Sequence, residues 1–433
     1  MKKTLIALAL GAMFGNPAAY ADVTFSGSIN AGPAVVKSSD GSSNRANSIR
    51  STNGATTGVT SGQTTDGINT NYSNITIGSM EDLGGGLKLD FAYQFTANFQ
   101  STTSSPQNRN SHIGLVGDSW GGVWVGTNEN LYERYLYQVD PLDGAAGMGG
   151  NLQVFGSPGY GTVFDAPGQN GPLGPGTGPR GTAGFYRRTD HTVWYDSPNW
   201  GGFTFGAYST LTAYKTGNTA LSNPRVWGVG GKYVGPSVPV QAWVAYESHK
   251  DLDGLAVITG ATSAFPNATA SAACPGCFSV GQSTLPSSTK DQGIEAGAGY
   301  TFGDIFVFLQ YEGLKYKADG LSALTDIIEY KRNAYGAGMK WNIPTGYVGL
   351  QYIHAANGSC QSVGGNCDAS DTGANMVGAG YYHTLSKQTQ AYIMATWIGN
   401  KDLNQYNTAG GTSAVPRLGG NVFGATVGLK HSF

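Results

Sequence analysis

The chain has 433 residues, 40% of them apolar, with 67 glycines and a formal net charge of −2. So balanced a charge argues against nucleic acid as a partner and against a strong surface field. Much glycine and modest apolar content supply poorly the core that two or three soluble domains would need, but suit a wide barrel around water.

Lys2 and Lys3, an apolar run from Leu5 to Phe14, and Ala19-Tyr20-Ala21 read as a secretory signal peptide over residues 1–21, cleaved before Asp22. That run is too short for a spanning helix, and no later segment reaches the ~18 apolar residues one needs. Without Lys2 and Lys3 the net charge is −4, 23 basic residues against 27 acidic ones. A first strand is expected over Asp22–Lys37, a long Ser/Thr/Asn/Gly loop over Ser38–Thr70, and a second strand over Asn71–Met80. After a tight turn at Glu81–Gly86 comes the strongest signal in the chain. In Leu87–Phe99 every second residue (Leu87, Leu89, Phe91, Tyr93, Phe95, Ala97, Phe99) is apolar and the residues between are almost all polar. Globular strands average about 5–6 residues, whereas a tilted strand crossing a bilayer needs ~9–11. A strand that crosses must belong to a closed barrel, because lipid tolerates no unpaired backbone edge.

The same alternation of long loop and tight turn continues. Strands are expected at Arg109–Gly117, Gly122–Asn128, Arg188–Asp196, Gly202–Tyr214, Arg225–Val234, Val240–Lys250, Ile294–Phe302, Ile305–Lys317, Glu329–Trp341, Tyr347–Ala355, Met376–Leu385, Gln388–Lys401 and Gly420–Phe433. No amphipathic helix with capping signals is expected after residue 21. The longest irregular insertion is 129–187, whose Gly156–Gly184 stretch is too rich in glycine and proline for helix or ladder. Small inner faces such as Glu295, Gly297, Gly299 and Thr301 suggest a hollow interior, and His112 and His431 fall on outward faces. Cys274, Cys277, Cys360 and Cys367 sit in polar loops, where export favours disulfides, with three possible pairings. The expected fold is all-β: a transmembrane antiparallel β-barrel of about 16 strands, occupying residues 22–433, with 129–187 as a long third loop.

Asp22–Gly27, Glu81–Lys88, Asn108–Leu115, Tyr195–Pro198 with Gly201-Gly202-Phe203, and the terminal Gly428-Leu429-Lys430-His431-Ser432-Phe433 occur in the order and spacing of a known family. Through them the chain resembles the general diffusion porins of the Gram-negative outer membrane. The resemblance implies a homotrimer of sixteen-stranded barrels in outer-membrane lipid and lipopolysaccharide, placed there by the barrel assembly machinery. It implies a third loop folded inward, with acidic groups facing a basic wall. Arg109 and Arg188 match the family's fourth- and sixth-strand arginines; Asn74 stands where the second-strand arginine belongs, and Thr127 where the fifth strand often has one. Glu133, Asp140 and Asp143 are the candidate loop acids, and Phe433 the candidate assembly residue.

The function implied is passive diffusion of ions and small hydrophilic solutes, without cofactor, metal or catalytic residues. A substrate-specific channel is the alternative, since an enlarged third loop could hold a ligand. A surface-exposed adhesin is a further one. An outer-membrane enzyme would need nucleophile, base and orienter together. The six histidines are instead scattered, none beside a GxSxG-like turn.

Overall fold

The computed structural model describes residues 22–41, 62–70, 73–97, 108–142, 148–159, 184–211, 224–252, 254–259, 286–324, 326–408 and 419–433. The expected signal peptide, Cys274, Cys277 and Asp143 lie outside them. Sixteen strands form the wall: β1 (Val23–Ser38), β2 (Asn74–Gly84), β3 (Leu87–Thr96), β4 (Asn108–Gly117), β5 (Gly121–Glu129), β6 (Arg188–Asp196), β7 (Phe203–Thr210), β8 (Arg225–Val234), β9 (Val240–Lys250), β10 (Ser288–Phe302), β11 (Ile305–Asp319), β12 (Ile327–Ile343), β13 (Gly346–Ala355), β14 (Ala374–Thr384), β15 (Thr389–Asn400) and β16 (Val422–Ser432). Each pairs antiparallel with its neighbours in sequence, and β16 closes on β1 from Ser28↔Ser432 to Ser38↔Val422. Closure leaves the wall without an edge, as hydrocarbon requires.

At the closing seam the Gly27 N–H donates to the Phe433 carbonyl and the Phe433 N–H to the Gly27 carbonyl, each at 3.1 Å. A Cβ on Gly32 would lie 1.9 Å from the Val427 carbonyl oxygen, so this approach of β1 to β16 admits only glycine. Deleting Phe433 removes both seam bonds and an interfacial aromatic. The expected result is less folded barrel, read as less heat-modifiable band in outer-membrane fractions, with unchanged conductance of what assembles. Undiminished assembly would refute this role.

Outward positions carry an apolar band: Phe25 is 66% exposed, Phe203 59%, Leu309 69% and Ile393 58%. Water would not tolerate so much contiguous apolar surface, but lipid does. Aromatic pairs bracket the band, Phe203–Tyr233 at 4.5 Å and Tyr300–Phe302 at 4.3 Å near the tight turns. Trp227–Tyr246 at 5.4 Å stands near the long loops, and Tyr311–Tyr335 at 5.5 Å lies midway along β11 and β12.

Several expectations need correction. The stretch read as loop over Ser38–Thr70 contains a short strand, Thr64–Asn69, that extends the rim by pairing with β1. β10 and β12 begin earlier than their alternation suggests, at Ser288 and Ile327, because the polar residues from Ser288 to Gln292 are still laddered to β11 and Ile327 is paired with Ser362. The Cys360/Cys367 loop is a hairpin, Ser359–Ser362 with Gly365–Cys367, in which the two cysteines face each other and form a disulfide. His112 points inward, not outward. One extra residue of β4 between Ser111 and Asn108, set against Tyr93 and Phe95 of β3, shifts the alternation by one, so that Arg109 and His112 share the inner face.

The inner glycines are not simply vacancy. Of residues 129–187, those described (129–142, 148–159 and 184–187) pack inside the barrel, and at several of their wall contacts the wall residue is glycine. Much of the Gly156–Gly184 stretch lies outside the described residues. A Cβ on Gly206 would come within 2.9 Å of Leu131, one on Gly230 within 2.8 Å of Tyr135, and one on Gly336 within 2.9 Å of Phe155. Gly378 and Gly380 make the same room for Leu142. The loop therefore brings its own core: Leu131, Tyr132, Leu136, Leu152, Val154, Phe155 and Phe185 are buried against the wall.

Candidate pore constriction

The first part of the inward loop is a helix, α1 (Leu131–Val139), where no capped helix was expected. Its start follows from sequence: the Asn130 side chain accepts from the Glu133 N–H at 2.7 Å, and Glu133 sits in the first turn, where the helix dipole favours a carboxylate. Asn130 also donates to the Phe185 carbonyl at 2.7 Å and to the buried Glu247 carboxylate on β9. Arg134 grips Asp196 of β6 through two bonds of 3.0 Å. These contacts fix which face of α1 meets which strands.

Further along, the loop is clamped to the opposite wall. The Arg332 guanidinium and the Glu312 carboxylate pair at 2.7 Å with both side chains fully buried. The Tyr132 hydroxyl and the Gly156 N–H donate to Glu312, while Arg332 donates to the carbonyls of Val154, at 2.9 Å, and Ser157. One buried ion pair thus holds α1 and residues 154–157 together. Sequence reasoning missed it; two opposite charges at inward-phase positions of adjacent strands were the available signal.

On β2 to β6 the inner face carries a connected polar wall. Gln94 donates to Asn74 at 3.2 Å and to Thr76 at 3.0 Å, and the Arg109 Nε donates to Gln94 at 3.2 Å. Arg109 Nη2 lies 3.9 Å from the Glu129 carboxylate, to which Arg188 also donates. Thr127 donates to Asp190 at 3.0 Å. Asn74, Arg109 and Arg188 are therefore members of one lumen-facing patch. Glu129, taken as the first loop residue, is the last residue of β5, in register with Arg188, and places a carboxylate between the two arginines.

The loop acids separate. Glu133 stands at the near end of α1, in the field of that patch. Burial and the Glu129 charge raise its pKa to about 7, against the lowering influence of Arg188, of the Tyr137 hydroxyl bonded to it and of Arg109. Asp140, by contrast, accepts the N–H groups of Leu142 at 2.8 Å and Asn151 at 3.0 Å, so its carboxylate serves the loop's own fold. On the same wall, His112 lies 3.2 Å from Asp90, with its ring edge-on to the stacked rings of Trp124 and Trp194.

A closed sixteen-stranded barrel with an outward apolar band and a charged wall facing an inward loop defines an outer-membrane channel. The chain belongs to the Gram-negative porin family, whose pattern matches residues 4–403. It is similar to an outer membrane porin protein of Bordetella pertussis, 26% identical over 419 residues that cover 92% of this chain and 95% of the relative. It is also similar to outer membrane porin protein 32 of Delftia acidovorans, 26% identical over 441 residues and the whole of both chains. Among solved structures, the anion-selective porin from Comamonas acidovorans shares the fold, with a TM-score of 0.67 at 22% identity over 96% of this chain and 100% of that one. The protein is a multi-pass outer-membrane porin, a passive diffusion channel for ions and small hydrophilic solutes.

Proposed function

We propose that the channel is a homotrimer of the 22–433 barrel, formed after signal-peptide removal and insertion by the barrel assembly machinery, and that ions pass between α1 and the β2–β6 wall. The observation that carries this is the Arg109–Glu129–Arg188 cluster facing Glu133: permanent positive charges and two carboxylates across one gap. The solved Comamonas acidovorans relative is anion-selective. Here Asn74 replaces one cation of the family pattern, and Glu129 offsets the arginines beside it, so selectivity is weak. The protein is a channel rather than an enzyme. Planar-bilayer recording tests the assembly: conductance steps grouped in threes are expected, and single independent steps would contradict the trimer.

The pH response has a definite sign. Glu133 binds its proton more tightly in the folded chain, about 7 against an ordinary 4.5. Lowering the pH through about 7 therefore removes a negative charge from the gap and moves the zero-current potential in a KCl gradient toward anion preference. Between about 4.5 and 7 the folded chain holds more protons than the unfolded chain, so this group's contribution to stability declines as pH rises through that window. Glu133→Gln should fix the potential near its low-pH value and flatten the pH dependence; a Gln variant that titrates like the native protein would exclude Glu133.

A further inference from the structure

Resting on the conducting path between α1 and the β2–β6 wall, we infer that Gln94 of β3, an uncharged residue, is a positioning residue for ion selectivity: its carboxamide holds the Arg109 guanidinium back from the aqueous gap. β4 carries one residue more than β3 at this height. Tyr93 stands opposite Ser111 and Phe95 opposite Asn108, so Arg109 and Asn110 together face the single residue Gln94. Bulges of this kind re-aim side chains beside functional sites. Here the Gln94 backbone N–H donates to the Ser111 hydroxyl at 3.2 Å, where the ladder is interrupted, and the Asn110 side chain accepts the Glu129 N–H at 3.0 Å. The bulge thus delivers Arg109 to Gln94 and ties Glu129 to the same place.

The amide is oriented from both ends. An arginine Nε–H can only donate, so Gln94 Oε1 faces Arg109, at 3.2 Å, and Gln94 Nε2 is left to donate to Asn74 at 3.2 Å and to Thr76 at 3.0 Å. With its Nε held there, Arg109 extends Nη2 to 3.9 Å from the Glu129 carboxylate. The two arginines are consequently unequal. The Arg109 side chain is 7% exposed, whereas that of Arg188, which donates to the same carboxylate, is 24% exposed. Ions in the gap meet Arg188 directly and Arg109 only through its field. Remove Oε1 and a nearly buried N–H loses this acceptor, a costly state that the guanidinium relieves by turning into the water of the gap. An uncharged side chain thereby sets how much positive charge the gap contains.

The test records the zero-current potential of the full barrel in planar bilayers under a KCl gradient, with folding checked by heat-modifiable migration. Gln94→Met, of similar length but without the amide, should raise the chloride-to-potassium permeability ratio about twofold, the scale of a partly exposed charge interaction. Thr76→Val, which loosens the amide and leaves Gln94 and both arginines in place, should move the potential the same way by less. In an Arg109→Met background, Gln94→Met should have no further effect on the potential, because it acts through that guanidinium. A general distortion of the wall would act in both backgrounds. An unchanged potential in Gln94→Met, or one moved toward cations, overturns the proposal. So does a shift that survives in the Arg109→Met background, or no shift with Thr76→Val. Arg188→Ser is recorded beside them: a shift there with none in Gln94→Met refutes the role of Gln94 alone, whereas no shift in any variant refutes the conducting path on which that role rests.

Discussion

Arg332→Met should be the most damaging single substitution in the barrel. It leaves the Glu312 carboxylate fully buried with only the Tyr132 hydroxyl and the Gly156 N–H for partners, and it frees the carbonyls of Val154 and Ser157. Breaking a buried pair from one side costs about 3–5 kcal/mol, because the remaining charge is stranded in low dielectric. The loop is what the pair holds, so the defect should appear there first. Single channels should show larger and noisier currents, and the unfolding temperature in detergent should fall. The double variant Arg332→Met/Glu312→Leu removes both charges and should recover much of the thermal stability, since an apolar pair of similar volume often replaces a buried ion pair without loss. If the double variant is as unstable as the single one, the pair is not what docks the loop.

The second large effect is on ion preference. Arg188→Ser removes a permanent positive charge from the lumen wall and releases Glu129 from one of its two arginines. The zero-current potential in a KCl gradient should move toward cations. Asn74→Arg adds a positive charge beside Gln94 and should move it toward anions. In a water-filled gap with low-dielectric walls the field of each charge is focused, so single substitutions register. Both shifts should shrink toward 1 M salt, where the Debye length falls to about 3 Å. Opposite shifts of the two variants are the expected pattern; the same direction for both would mean that conformational rearrangement, not charge, sets the potential.

Much of the barrel was legible because lipid enforces it. Leu87–Phe99 alternates strictly, since one face must be apolar and the other wet, and the turn–loop rhythm around it yields sixteen strands. What escaped the sequence was whatever breaks that rule. The one-residue bulge in β4 reverses the phase that put His112 outward, and nothing in Asn108–His112 marks it. α1 is only nine residues long and lies in a stretch whose later half is dominated by glycine and proline; the Asn130/Glu133 cap was its visible signal. The inner glycines were ambiguous in themselves, because a vacancy and a seat for another segment call for the same residue. Which of the two Gly206, Gly336 and Gly378 provide depends on a segment more than fifty residues away in sequence. The wall arginines were found through the family pattern, whereas Glu129, which tempers them, was lost to a strand boundary drawn one residue short.

The claim on which the rest depends is that ions pass between α1 and the wall that carries Asn74. Asn74→Cys, modified in an open channel first with a cationic and then, in a separate membrane, with an anionic methanethiosulfonate reagent, tests it directly, with the native protein treated in parallel. Both adducts should narrow the gap and lower the conductance. The cationic adduct should shift the zero-current potential toward anions, the anionic one toward cations, and the native protein should change in neither respect. Modification confirmed by mass, with conductance and potential both unaltered, would place the conducting path elsewhere and contradict the account.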